Sequence, residues 1–180
     1  EPCALVIRSP AGTVLHSGDW KIDPTLGIGQ PIDTQRLAEI GEEGVVALIC
    51  DSTNAPREGS SPSEADVATG LAKVIRKAKR RVAVTTFASN VARIRSVALA
   101  AQQAERDVVV MGRSMQRTIE VSRELGYLDD LPAFLSEDAY GYLPPERVVL
   151  LLTGSQGESR AALARIAHDK HPRVALSPGD

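Results

Sequence analysis

Four short polar stretches in this sequence carry residue types that grip anions rather than build a core. They are Asp51-Ser52-Thr53-Asn54, Thr85-Thr86-Phe87-Ala88-Ser89-Asn90, Gly112-Arg113-Ser114 and Thr153-Gly154-Ser155-Gln156-Gly157-Glu158. Hydroxyl and amide side chains supply donors, glycine lets backbone N–H groups come close, and the Arg113 guanidinium suits a phosphate. By pattern, three of the four run straight into a helix, where free N–H groups and the helix dipole favour an anion. N-capping by Ser or Asn would explain any one of them. As a set they point to a phosphate-bearing ligand. Asp19 stands apart: it lies just past the strand-like run Thr13–His16, after a glycine, and on local pattern alone reads as a turn aspartate.

Other chemistries fit less well. Gly154-Ser155-Gln156-Gly157 lacks the spacing of a serine-hydrolase elbow, and no histidine is placed to serve it. Gly27-Ile28-Gly29 has neither the leading strand nor the following helix of a dinucleotide fingerprint. His16, His168 and His171 do not form a metal-spaced set and read as surface or strand-end residues. Cys3 and Cys50 fall in apolar, strand-like runs and read as reduced core thiols.

The elements that must hold these residues follow from periodicity. Ala4–Arg8 and Thr13–His16 flank Ser9-Pro10-Ala11-Gly12 and predict a β-hairpin. A turn-rich stretch from Ser17 to Asp33 precedes a short helix over Gln35–Glu43. Then come Val45–Cys50, Arg81–Thr86, Asp107–Met111 and Arg147–Leu152, unbroken apolar runs expected of strands buried on both faces of a parallel sheet. Between them, Ser61-Pro62-Ser63-Glu64 matches a capping box. The helix after it would bury Val67, Leu71, Val74, Ile75 and Ala78, and ends in a basic cluster, Arg76 to Arg81. That cluster is a solvated helix end or a nucleic-acid patch. A second helix from Asn90 would bury Val91, Ile94, Val97, Ala98 and Ala101. A third follows Ser114, with Ile119 and Leu125 inward and Gly126 as its stop, and a fourth follows Glu158. A short helix is expected around Glu137–Tyr142. Alternating strand and helix predicts an α/β, three-layer sandwich with a mainly parallel, Rossmann-like sheet, on whose carboxyl edge ligands bind.

Composition narrows the class further. With 43% apolar and 24% charged residues the chain reads as globular, and aromatics at 3% leave the core to Val, Leu, Ile and Ala. A net charge of −2 gives no general basic field, so any nucleic-acid contact must be local. No apolar stretch approaches the roughly 20 residues of a membrane span. The chain opens on Glu1 and goes straight into strand-like sequence, as an internal piece of a longer protein would.

Several of these runs, in order, resemble the ribonuclease J family of metallo-β-lactamase/β-CASP nucleases: LHSGDWKID (Leu15–Asp23), CDSTNA (Cys50–Ala55), TFASNVARI (Thr86–Ile94), GRSM (Gly112–Met115) and LTGSQGE (Leu152–Glu158). The resemblance implies residues 1–44 as part of a metallo-β-lactamase segment, hairpin plus linker, and residues 45–180 as the β-CASP domain. It implies a zinc-dependent 5′→3′ exoribonuclease with endonuclease activity, cytoplasmic, acting on single-stranded RNA with a 5′-monophosphate and assembling as a homo-oligomer. Asp19 would be the catalytic metal ligand bridging two zinc ions in the full-length enzyme. Asp51 would be the catalytic carboxylate beside them, orienting a histidine, and the turns carrying Ser89, Asn90, Arg113, Ser114, Ser155, Gln156 and Gly157 would face the RNA backbone near its 5′ end. The family's H-x-H-x-D-H cluster is absent here, so zinc is not expected in the piece alone, nor activity. Many relatives carry His where this chain has Ala92. Without the resemblance, a Rossmann-like module for a small phosphate or nucleotide remains the alternative.

Overall fold

The computed structural model describes residues 3–180 and divides into two compact units, Glu1–Ser63 and Glu64–Asp180. In the first unit the Pro10-Ala11 turn closes a hairpin of β1 (Leu5–Ser9) and β2 (Gly12–His16), paired antiparallel from Ser9↔Gly12 to Leu5↔His16. Helix α1 (Thr34–Glu43) starts where expected, its Arg36 N–H capped at 2.8 Å by the Asp33 carboxylate.

The next apolar run departs from expectation. β3 (Ala47–Ile49) does not enter the parallel sheet of the second unit. It pairs parallel with β2, Leu15 opposite Leu48, and makes the order β1-β2-β3. Its three residues are exposed. An unbroken apolar run records that both faces want covering; it does not say which strand the backbone will pair with. Here the ladder is set by Val46 N–H to Thr13 O and Ser17 N–H to Ile49 O, both 2.9 Å. Cys3 and Cys50 are exposed and not joined by a disulfide, so they are not core thiols.

The second unit is the expected α/β sandwich. Four strands, β4 (Val82–Thr85), β5 (Asp107–Val110), β6 (Leu135–Ser136) and β7 (Val148–Leu152), lie in the order β4-β7-β5-β6, and every pairing is parallel. β6 is too short for periodicity to reveal. Side-chain alternation divides the core in two. Val149 and Leu151 of β7 pack with Val108 and Val110 of β5 against α2 (Glu64–Lys77), α3 (Val91–Gln103) and α4 (Arg113–Glu124), through Ile75, Ile94, Val97, Met115 and Ile119. Val148, Leu150 and Leu152 pack with Val109 and Met111 against Tyr140, Val174 and Ile166 of α5 (Ala162–Ala167). Glu137–Tyr142 is a short 3-10 helix, at the expected place.

Local details differ. α2 begins at Glu64, so Pro62 lies outside the helix, and the Glu64 carboxylate accepts a fork of bonds from Arg93 on α3. Val74 and Leu125 are exposed at 60% and 65%, not inward. Val74 sits a quarter-turn off the inward stripe of partly buried Leu71 and buried Ile75, and Leu125 caps α4 just before Gly126 turns the chain at φ 79. Among the described residues no helix is long and apolar enough to cross a membrane.

Candidate nucleic-acid interface

Because β4, β5 and β7 are parallel and adjacent, the turns leaving their carboxyl ends share one edge of the sheet. Three of the four polar stretches therefore come together: Thr85–Asn90 after β4, Gly112–Ser114 after β5 and Thr153–Glu158 after β7. The sheet ladder continues into them, with Thr86 N–H to Leu152 O at 3.0 Å and Met111 N–H to Leu151 O at 2.9 Å. Chains leaving β4 and β5 turn to the α3/α4 face, whereas the chain leaving the central strand β7 turns to the α5 face. Where neighbouring strands send their connections to opposite faces, a crevice opens at the carboxyl edge. The Ser155–Gly157 turn stands between the other two.

Each turn has its own architecture. Asn90 is the N-cap of α3, its Oδ1 accepting from Arg93 N–H at 3.0 Å, while Ser89 beside it is exposed. Gly112, at φ 91, precedes α4 with no side-chain cap, so Arg113 and Ser114 stand exposed in the helix's first turn. The Arg113 guanidinium meets no acidic partner among the described residues. In the third turn Gly157 N–H bonds Gly154 O at 3.2 Å, and Glu158 accepts from Gln156 N–H at 3.0 Å. A carboxylate thus already sits on a backbone N–H there. Two turns, not three, lead straight into a helix: α5 starts four residues after Glu158, and its Ala162 and Leu163 N–H groups bond the Thr153 hydroxyl and carbonyl. Thr153 and Gly154, which shape this turn, belong to the fourth polar stretch but were not among its expected contacts. A Cβ on Gly154 would come within 2.7 Å of the Leu163 Cβ, so only glycine fits.

The fourth polar stretch is elsewhere. Asp51 lies two residues past β3, in the first unit, and Asp19 lies three past β2. Since β2 and β3 are parallel neighbours, both carboxylates leave the same end of the small sheet. Trp20 ties the two turns, its Nε1–H reaching Asp51 O at 3.4 Å. Asp51 Oδ1 accepts from the Thr53 hydroxyl at 2.6 Å and from Thr53 N–H at 2.9 Å, and these bonds hold its carboxyl below the usual carboxylate range. Asp19 is exposed. His16 is the nearest histidine in sequence, but its Nδ1 accepts from Gly18 N–H at 3.1 Å. Among the described residues no group of three or more His, Cys, Asp or Glu could hold a metal ion. The described residues alone do not make a two-zinc site.

Sequence comparison decides the lineage. Residues 79–180 match the family model described as ribonuclease J, beta-CASP domain. The chain belongs to the ribonuclease J β-CASP family. Over 180 residues it is 57% identical to a ribonuclease J of Sinorhizobium meliloti, covering all of this chain and 32% of that protein. A Thermus thermophilus ribonuclease J is 44% identical over 176 residues, 98% of this chain and 31% of its own length. A Synechocystis ribonuclease J is 45% identical over 179 residues, 98% of this chain and 28% of its own. The chain thus spans about a third of these relatives or less, including the β-CASP domain and the small sheet before it.

Proposed function

We propose that this chain is a segment of an RNA-cleaving hydrolase, and that the carboxyl edge of its parallel sheet holds the sugar-phosphate backbone of single-stranded RNA near a 5′-monophosphate end. The observation that carries the reading is the convergence of three polar turns on one sheet edge, with the central turn leaving to the opposite face. Arg113 and Ser114 present a cation and a hydroxyl at a helix N-terminus, where the dipole favours phosphate oxygens. Ser89, Ser155 and Gln156 offer exposed side-chain donors on either side, while Gly157, its N–H on Gly154 O, and Asn90 act chiefly by shaping their turns. Contacts of this kind position a backbone without reading bases, as a processive 5′→3′ nuclease with endonuclease capability requires.

Asp19 and Asp51 are proposed as carboxylates of the parent's catalytic centre: Asp19 as one zinc ligand, Asp51 as a hydrogen-bonding partner beside it. Their emergence at one end of the small sheet supports the pairing. No catalytic step is assigned to the residues of this chain, whose described residues gather no set of ligands for the metals. A cytoplasmic location and a homo-oligomeric parent belong to the same proposal, supported by the family alone.

The test is binding of a 5′-monophosphorylated RNA oligonucleotide to the chain across a salt series. Binding should weaken steeply with salt, and Arg113→Ala should reduce the log–log salt slope by about one. Saturable binding of mononucleotides with no affinity for RNA would overturn the reading.

A further inference from the structure

Topology brings three helix N-termini to the carboxyl edge of the parallel sheet. α3 and α4 follow β4 and β5 and start there. α2 ends a short turn before β4 begins, so its own start lies at the same edge. All three helices pack on one face of the sheet. Aligned peptide dipoles give each start a partial positive charge, which carboxylates stabilise and cations oppose. α2 obeys that rule, with Glu64 and Asp66 in its first turn. α3 and α4 carry no acid in theirs and place an arginine there instead, Arg93 and Arg113.

The two arginines are held differently. Arg113 is exposed and meets no acidic partner among the described residues. Arg93 is forked onto Glu64: Nη2 donates to both carboxylate oxygens at 3.1 Å, and Nε to one of them at 3.3 Å. Their side chains are only 24% and 18% exposed. Arg95, also near the start of α3, is forked in the same way onto Asp130. Each arginine at that helix start therefore has an internal carboxylate, although the Asn90 cap beside them belongs to the polar rim.

We propose that Glu64 is a specificity-determining residue of the carboxyl-edge site. It withholds Arg93 from RNA, so that phosphate is seated at Arg113 on α4 and not at the start of α3. This rests on the carboxyl-edge reading and narrows it to one seat. A guanidinium offers carboxylate and phosphate the same parallel pair of N–H donors, so that one oxyanion excludes the other. Nε and Nη2 of Arg93, which form such a pair, are both committed to Glu64. The charge that Arg93 brings to the edge is cancelled at close range. A single free guanidinium fixes the register of the backbone, whereas two would let neighbouring phosphates compete for either seat.

The experiment measures binding of a 5′-monophosphorylated RNA oligonucleotide to the full chain across a salt series, with circular dichroism as the check on folding. Glu64→Gln keeps the shape of the side chain, removes its charge and releases Arg93. Binding should tighten, and the log–log salt slope should steepen by about one as a further phosphate is neutralised. Arg93→Gln alone should leave the wild-type slope unchanged, and added to Glu64→Gln it should return the slope to the wild-type value. Glu124→Gln removes the same charge from an exposed site at the far end of α4 and should leave the slope alone. A Glu64→Gln slope equal to wild type would overturn the proposal, whether binding weakens or not. So would a steepened slope that survives Arg93→Gln, or a fall of about one in Arg93→Gln by itself. Should Glu64→Gln not fold, the Arg93→Gln slope decides alone. A slope that responds to Arg113→Ala but not to Glu64→Gln rejects this role for Glu64 and leaves the carboxyl-edge reading standing. A slope that responds to neither rejects both.

Discussion

The central strands of the two sheets make an instructive pair. β7 is Val-Val-Leu-Leu-Leu, and all five residues are buried between helices on both faces. β2, central in the other sheet, has no buried residue, and its neighbours leave Leu5, Ile7, Leu48 and Ile49 more than half exposed. Both sheets are rich in aliphatic side chains, yet only one has a complete set of layers around it. Hydrophobic stabilisation scales with the apolar area removed from water, so the second unit should carry most of the stability of this chain. The first unit presents an apolar sheet and two carboxylates at its end; the second is a closed sandwich whose exposed features are turns.

The sharpest way to break this comparison is to truncate equivalent leucines. Leu150→Ala, at a fully buried site, should cost about 2–5 kcal/mol in urea unfolding, whereas Leu48→Ala, 56% exposed, should cost well under about 1 kcal/mol. Comparable losses would mean that β3 is covered in solution. Trp20, the only tryptophan, lies in the first unit, so its fluorescence follows that unit separately.

Next in size is Gly154→Ala. A Cβ there meets Leu163, and the backbone, at φ +129, is one that side chains resist. A loss of about 1–3 kcal/mol is expected, together with weaker RNA binding as the Ser155–Gly157 turn shifts. An unchanged melting temperature would show that the turn yields easily. Asn90→Ala removes the cap of α3 and should cost about 1 kcal/mol. If Asn90 acts through the turn, Asn90→Ser, which keeps a capping oxygen, should restore both stability and binding; binding that stays lost would assign the amide a direct contact.

The smallest effect concerns pH. Burial pushes the Asp180 carboxyl up, but the Ser177 N–H and the guanidinium groups of Arg80 and Arg81 outweigh this and hold it low. A carboxylate whose folded value is depressed contributes stability above its unfolded value and loses it as pH falls through the folded one. The urea midpoint of the second unit should therefore fall below about pH 4, and Asp180→Asn should flatten that fall. An unaltered profile in Asp180→Asn would show that its pairing with Arg80 and Arg81 adds nothing to the stability of the second unit.

Much of this was legible before any coordinates. The hairpin, α1, three of the four strands of the main sheet and the sandwich follow from patterns that chemistry forces: alternation, 3.6-residue periodicity, and glycine at turns. The polar turns were legible because they interrupt those patterns. Less legible was what depends on partners distant in sequence. β3 looked like a strand of the parallel sheet because its composition is the same, and only its backbone bonds to β2 separate the two cases. Val74 and Leu125 looked inward because a helical stripe has a width that periodicity does not define at its margins. The role of Glu64 in holding Arg93 emerges only when α2 and α3 are packed side by side.

What the sequence determined by itself is local: which segments are extended or helical, where the chain turns, which residues can carry charge to a ligand, and the family to which their order belongs. Tertiary structure decided which of those residues share an edge. It grouped three turns around β7 and assigned Asp51 to the company of Asp19. The physical reason is that strand propensity is a property of a few consecutive side chains, whereas strand order is a competition among distant backbones for a limited number of hydrogen-bonding edges.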